Sequence, residues 1–237
     1  MKRIIIVLLF VSTFTISKSQ NHPAISFGGG YPFFFQSNFN KESGGTHSLT
    51  NKKINAFIEK PGLFKLNSES LYITPGVGYF LFNENGSGGG LGGGNSKTLK
   101  HQAVSLYGKF IYEWNFKSVK STNLYLGFVS GLYLYSNTTG TKSWWQMYQN
   151  NNRSGTTEVD RSGNHFFNSA YMGFIFGIKP LGNNSSSLFV PTVELSFMPN
   201  YAVIYDDHIV EDEQKLTKSM LMLSLSIGFN PKRKKVD

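Results

Sequence analysis

Bulky apolar residues occupy every second position through much of this chain. In "NLYLGFVSGLYLYSN", Asn123 to Asn137, one parity carries Leu124, Leu126, Phe128, Leu132 and Leu134. The other carries Tyr125, Gly127, Val129, Gly131, Tyr133 and Tyr135. Strict alternation sends the two sets to opposite faces of a β-strand. A water-facing sheet would place charges on the second face, and here that face holds Gly and Tyr. A helix at this spacing would bury residues all round and leave the Tyr and Gly positions without a common role. The same grammar recurs at Leu71–Leu81, Val104–Trp114, Phe166–Lys179, Thr192–Phe197 and Leu221–Phe229. Two weaker strands, roughly Ala24 to Gln36 and Lys53 to Leu66, bring the count to eight, the second being interrupted by Pro61 and Gly62.

The connections carry a second signal. Residues 67–70, 117–122 and 180–187 are short links, whereas 37–52, 83–98, 137–163 and 205–215 are long. Short turns on one side, long loops on the other and an even strand count are features of outer-membrane barrels. In lipid every backbone N–H and C=O must pair within the protein, and a closed barrel is the strand arrangement that achieves this. The pattern therefore predicts an all-β fold, an eight-stranded antiparallel transmembrane up-and-down β-barrel. Lipid would meet the apolar face, and Tyr, Ser, Gly, Lys and Glu would fill the narrow inside. Tyr112, Trp114 and Phe116 fit an aromatic girdle at the membrane interface. A ten-stranded count stays open, because residues 37–66 contain an ambiguous stretch.

Composition agrees with apolar residues rationed to one face. Aromatics reach 15%, with 21 Phe and 12 Tyr, yet mean hydropathy is only −0.22. The first residues read as a secretory signal peptide spanning 1–19: Lys2 and Arg3, then Ile4 to Phe10, then Ser17 and Ser19. Its apolar core is too short to cross a bilayer as a helix. Cleavage would remove Lys2, Arg3 and Lys18, lowering the formal charge from +9 to +6. Both termini of the barrel, residues 20–230, would then lie in the periplasm. No cysteine is present, so neither a disulfide nor a lipidated anchor at the signal cut holds this chain. The remaining basic residues are scattered, which excludes a nucleic-acid interface.

"SKSQ" before a Gln start, "TPGVGYFLF", "YLGFVSGLYLY", "YMGFIFGIKP" and "LSLSIGFNP" give the whole mature chain a familiar style. It resembles the small outer-membrane β-barrel proteins of Bacteroidetes-type bacteria, the PorT-like group. The resemblance implies location and fold, and a role such as accessory to a secretion or envelope complex. It carries over no functional residue. Leu223, Leu225, Ile227 and Phe229 resemble the terminal strand that barrel-insertion machinery recognises, although eight residues follow the aromatic. Pro231 would stop that strand. Lys232, Arg233, Lys234 and Lys235 would form a basic periplasmic tail, residues 231–237, either simply solvated or lying against anionic head groups.

Candidate chemistry is sparse. "GSGGGLGGGNSKT" (86–98) lacks the Gly directly before Lys and the following helix of a phosphate loop, so it reads as an outer loop. Asp206, Asp207, Glu211, Asp212 and Glu213 offer oxygen ligands for a divalent cation, but without the spacing or central Gly of a calcium loop. Lys109, Glu113, Lys179 and Glu194 face inward by parity, and Glu59 would join them if its register allows. Buried charges must pair, so these residues predict an ion-pair network plugging the lumen, with a gated ion path as the functional alternative. A hydrolase would need Ser, His and a carboxylate together. His101 with Ser105 and His165 with Ser169 share parity, but four residues of strand place them about 13 Å apart. The expectation is no enzyme and no cofactor. Trp144, Trp145, Met147 and Tyr148 enrich loop 137–163, either as a partner surface or folded onto the rim. Membrane lipid is the expected surroundings, and a protein partner would use that loop. Rival readings are a soluble lipocalin-like carrier of hydrophobic ligands, opposed by the missing Gly-x-Trp start, and a small pore.

Overall fold

The computed structural model describes residues 22–36, 46–50, 55–65, 70–90, 92–115, 122–148, 151–162, 170–180, 188–206 and 214–230. The described residues form eleven strands. They are β1 (Ile25–Gln36), β2 (Thr46–Thr50), β3 (Asn55–Glu59), β4 (Phe64–Lys65), β5 (Leu71–Gly90), β6 (Gly93–Asn115), β7 (Asn123–Tyr148), β8 (Asn151–Ser162), β9 (Ala170–Lys179), β10 (Phe189–Asp206) and β11 (Gln214–Phe229).

Eight of them close a ring. β1, β3, β5, β6, β7, β9, β10 and β11 each pair antiparallel with the next, and β11 pairs back onto β1 from Ile25↔Phe229 to Gln36↔Lys218. Closure leaves no edge strand within the ring. The interrupted second strand resolves into β3 and the two-residue β4, both laid on β5. Pro61 and the left-handed Gly62 (φ 62°) separate them, and the Gly62 N–H donates to Thr74 Oγ1 at 3.3 Å. The ambiguous residues before it contribute β2, which also pairs with β5, but only at Asn83–Ser87. It therefore extends the sheet beyond the ring and adds no stave to it.

The inward parity is buried and the outward parity is apolar and exposed. On β5, Tyr72, Thr74, Gly76, Gly78, Phe80 and Phe82 are buried, and the outward set runs from Leu71 to Leu81 before Asn83. On β9, Met172, Phe174 and Phe176 are exposed, Phe174 at 64%, while Tyr171, Ile175 and Lys179 are buried. Outward apolar residues run similarly from Ile25 to Phe33, Val104 to Trp114, Phe189 to Phe197 and Leu221 to Phe229. The result is an apolar belt around a buried interior in which charged and polar groups are mixed with Tyr, Phe, Ile, Val and Met.

Two expectations need correction. The long connections after β5 and β7 are strands, not loops. β5 and β6 pair as far as Gly90↔Gly93, and β7 and β8 as far as Tyr148↔Asn151. The residues are Gly, Ser, Asn and Thr, which form weak strands alone, but each meets a neighbouring ladder over many positions. Together with β2 they build a ribbon standing on one side of the ring. Tyr135, expected inward, is 49% exposed. Val104 pairs with Tyr135 and Ser105 with Tyr133, so Leu134 is the extra residue of a bulge. A bulge inverts the parity that follows it, so Tyr135 turns out while Ser136 and Thr138 turn in.

Candidate functional site

The interior is held by two groups of charges. Lys109 Nζ donates to both oxygens of Glu194, at 2.8 and 2.9 Å, and pairs also with Glu59. Tyr107 OH donates to Glu59 at 2.8 Å, and Tyr125 OH and Ser196 Oγ donate to Glu194 at 2.9 and 3.1 Å. Further towards the short links, Lys179 pairs with Glu113, which also accepts from Tyr72 OH (2.6 Å) and Asn123. The ammonium of Lys179 lies 5.2 Å from the Tyr72 ring centroid and 5.7 Å from that of Tyr125. Each charge thus trades its hydration for several aimed partners, which is the condition under which a buried pair is tolerated. The parity of the sequence indicates Lys109, Glu113, Lys179 and Glu194, and the structure brings Glu59 into the same network. The void among these groups is only about 30 Å³, lined by Phe57, Thr74, Ile111 and Thr192 among others.

Glycine explains how the Tyr rings fit. Tyr107 stands opposite Gly76, Tyr125 opposite Gly177, and Tyr171 opposite Gly131. A Cβ on any of these glycines would run into the tyrosine ring facing it. The ring therefore lies across the bare backbone of the next strand. The alternating Gly and Tyr of the sequence are the two halves of this contact, an arrangement known from glycines covered by aromatics in other sheets.

Above the belt a third polar group spans β5, β6 and β7. Glu84 takes Lys97 Nζ at 2.8 Å on one oxygen and His101 Nε2 at 2.8 Å on the other, while His101 Nδ1 lies 2.9 Å from Thr138 Oγ1. All four residues are buried. Burial raises the Glu84 carboxyl, but the His101 hydrogen bond and the Lys97 charge outweigh it and bring the carboxyl down to about 2. Ser105, which shares parity with His101 but lies too far along the strand to bond it, meets Tyr171 OH through its Oγ at 3.1 Å. The partners of His101 are cross-strand neighbours on two other strands, which no spacing along one strand signals.

Trp144, Trp145 and Met147 sit near the end of β7, exposed at 43%, 43% and 58%. Tyr148 ends the same strand. Leu223, Leu225, Ile227 and Phe229 line the outward face of β11 and belong to the belt. Asp206 ends β10, while Asp207, Glu211, Asp212 and Glu213 lie outside the described residues. So do residues 1–19, expected to be a signal peptide, and the basic residues 232–235. Among the described residues no three His, Asp or Glu gather as metal ligands.

No family model and no curated protein matches the chain. Among solved structures, it is similar to the N-terminal β-barrel domain of Pseudomonas aeruginosa OprF, at 12% identity and a TM-score of 0.31. The match covers 89% of this chain and 98% of that one. A likeness at this level leaves fold and function to be argued from the chain's own geometry.

Proposed function

We propose that the chain is an outer-membrane β-barrel whose ring spans the bilayer and whose ribbon faces the exterior, a non-enzymatic protein with a structural or partner-binding role. The observation that carries this reading is the apolar belt. The outward apolar parity runs through 11 residues of strand from Leu71 to Leu81 and through 9 from Leu221 to Phe229. That length, tilted, matches a bilayer's hydrocarbon thickness. Exposed Phe and Leu on this scale would drive a water-soluble protein to aggregate. Above Leu81, Val104 and Tyr135 the outward positions become Asn83, Gln102 and Asn137, as expected where strands leave lipid for water. The filled interior favours a plugged barrel over a pore or a carrier, since a void of about 30 Å³ has room for little more than a water or two. With the short links inward, both termini are periplasmic. The resemblance to the PorT-like group makes an accessory of a secretion or envelope complex the role to pursue first.

Membrane fractions run on SDS gels with and without boiling test this. Outer-membrane fractionation with faster migration of the unboiled protein is the expected result. A soluble, unshifted protein would overturn the membrane reading. Steady conductance in a planar bilayer would overturn the plug.

A further inference from the structure

The ring interior is short of one positive charge. Within the belt, three buried carboxylates, Glu59, Glu113 and Glu194, meet two ammonium groups, Lys109 and Lys179. Lys60, next to Glu59 along the chain, is also buried, but among the described residues it pairs with none of the three and does not offset the Glu59 charge. Lys179 matches Glu113. The surplus therefore falls on Glu59 and Glu194, which share Lys109. An unmatched charge in so buried a place is costly.

The two carboxylates are unequally occupied. Glu194 accepts two hydrogen bonds on each oxygen, Oε1 from Lys109 and Ser196, Oε2 from Lys109 and Tyr125. Glu59 takes both Tyr107 and Lys109 on Oε1, and its Oε2 has no partner among the described residues. Both acids border the void of about 30 Å³, whose other walls carry hydroxyls. Ser26 stands opposite Glu59, Ser224 opposite Glu194 and Ser226 opposite Thr192, and these four hydroxyl residues all line the void. Ser224 is 1% exposed, and its Oγ takes no hydrogen bond among the described residues.

A surplus negative charge, an open carboxylate oxygen and a buried hydroxyl without a partner thus surround a space for one small particle. A proton on Glu59 would settle the charge and leave Ser224 and the void as they are. A water would serve Ser224 and leave the charge. A small cation does both, because hard cations are held by oxygen ligands. We propose that the ring interior binds one sodium-sized monovalent cation beside Glu59, with that carboxylate and the Ser224 hydroxyl among its ligands. A divalent ion would overshoot, since one charge is missing. The bound cation completes the plug, giving three positive charges against three carboxylates. The inference rests on the closed ring and not on what surrounds it.

Urea unfolding of the full chain in detergent tests the site, followed by near-ultraviolet circular dichroism. Sodium chloride is replaced stepwise by choline chloride at fixed ionic strength. Between about 1 and 100 mM sodium the folded-to-unfolded ratio should rise at least about tenfold, as a site of about 10 mM affinity or tighter gives. Choline is too large for the void and should give no rise. Glu59→Gln removes the surplus charge, so it should fold without sodium and no longer respond to it. Ser224→Ala removes a ligand and should cut the rise severalfold. Ser130→Ala, exposed on the outside of β7, should keep the rise whole. Equal stability in the two salts would overturn the proposal, and a gain on acidification in choline would then assign the missing charge to a proton. A response of full size in either Glu59→Gln or Ser224→Ala would also overturn it, by placing the ion elsewhere. Either failure leaves the apolar belt, and so the membrane reading, untouched.

Discussion

The ring and the ribbon use the same contact, an aromatic laid across a glycine of the next strand, with opposite results. Inside the ring, Tyr125 over Gly177 is 3% exposed and Tyr171 over Gly131 is 4%. In the ribbon, Trp144 over Gly155 and Trp145 over Gly94 are each 43% exposed. Closure makes the difference. Eight strands curl so that each inward ring meets the side chains of the far wall, and the contact becomes a plug. The ribbon has no far wall, so the outer surface of the aromatic stays available. Charge is handled alike in both regions: inside the ring Lys109 and Lys179 meet aimed oxygens, and at the foot of the ribbon Lys97 pairs with Glu84.

The largest expected effect lies in the ring. Lys109→Gln leaves Glu59 and Glu194 without their shared cation, and breaking a buried pair in this way costs about 3–5 kcal/mol. The folded fraction, followed by gel mobility across a urea series, should shift accordingly. The double variant Lys109→Gln/Glu194→Gln should recover part of the loss, because only Glu59 then lacks its partner. An unchanged midpoint in the single variant would mean that water reaches these groups and the plug is open.

Next in size is a charge on the belt. Phe174→Lys, midway along β9 on the exposed face, should cost about 2–4 kcal/mol if that face meets lipid. Thr141→Lys, on the outward face of the ribbon, should stay within about 0.5 kcal/mol. The contrast is informative because both residues are exposed. Equal and small effects in the same urea assay would mean that water bathes both faces, and the membrane reading would fail.

A smaller effect is expected at the glycine contacts. Gly177→Ala forces Tyr125 off the backbone and strains its bond to Glu194, at about 1–3 kcal/mol. Gly108→Ala, where a Cβ meets nothing within 4 Å, should be neutral. If the two variants behave alike, the glycines opposite tyrosines are not needed for packing.

The belt and the inward charges were legible because a period of two needs no knowledge of partners. Leu124 to Leu132 and Lys109 to Glu113 declare their faces from order alone. Pairing was not legible: nothing along the chain says that Lys109 lies between Glu59 and Glu194, since those residues meet only when the ring closes. Tyr135 was misplaced because a single extra residue, Leu134, is invisible until its partner strand is known. The ribbon read as loops because Gly86 to Gly94 has almost no strand propensity, and its order comes from the ladders on either side. The group Glu84, Lys97, His101 and Thr138 escaped notice for the same reason.

The smallest and most local change should come from pH, and it separates the two regions most cleanly. The Glu84 carboxyl stands at about 2 in the folded protein against an ordinary value of 4.5. A depressed carboxyl contributes stability that is fully present above the ordinary value and is lost as pH falls towards the folded one. The window is therefore pH 4.5 down to 2. Glu84 lies three residues beyond Leu81, about 10 Å along the strand from the belt, so its protonation should loosen Lys97 and the ribbon before it reaches the ring. Such local opening draws on the least stable unit of a fold. Tryptophan emission, which is weighted to Trp144 and Trp145, should change across this window. Glu84→Gln should show the altered emission already at pH 7 and no transition on acidification. A wild-type transition that persists unchanged in Glu84→Gln would assign the acid response to other carboxylates and leave the ribbon's charge cluster without a role in its order.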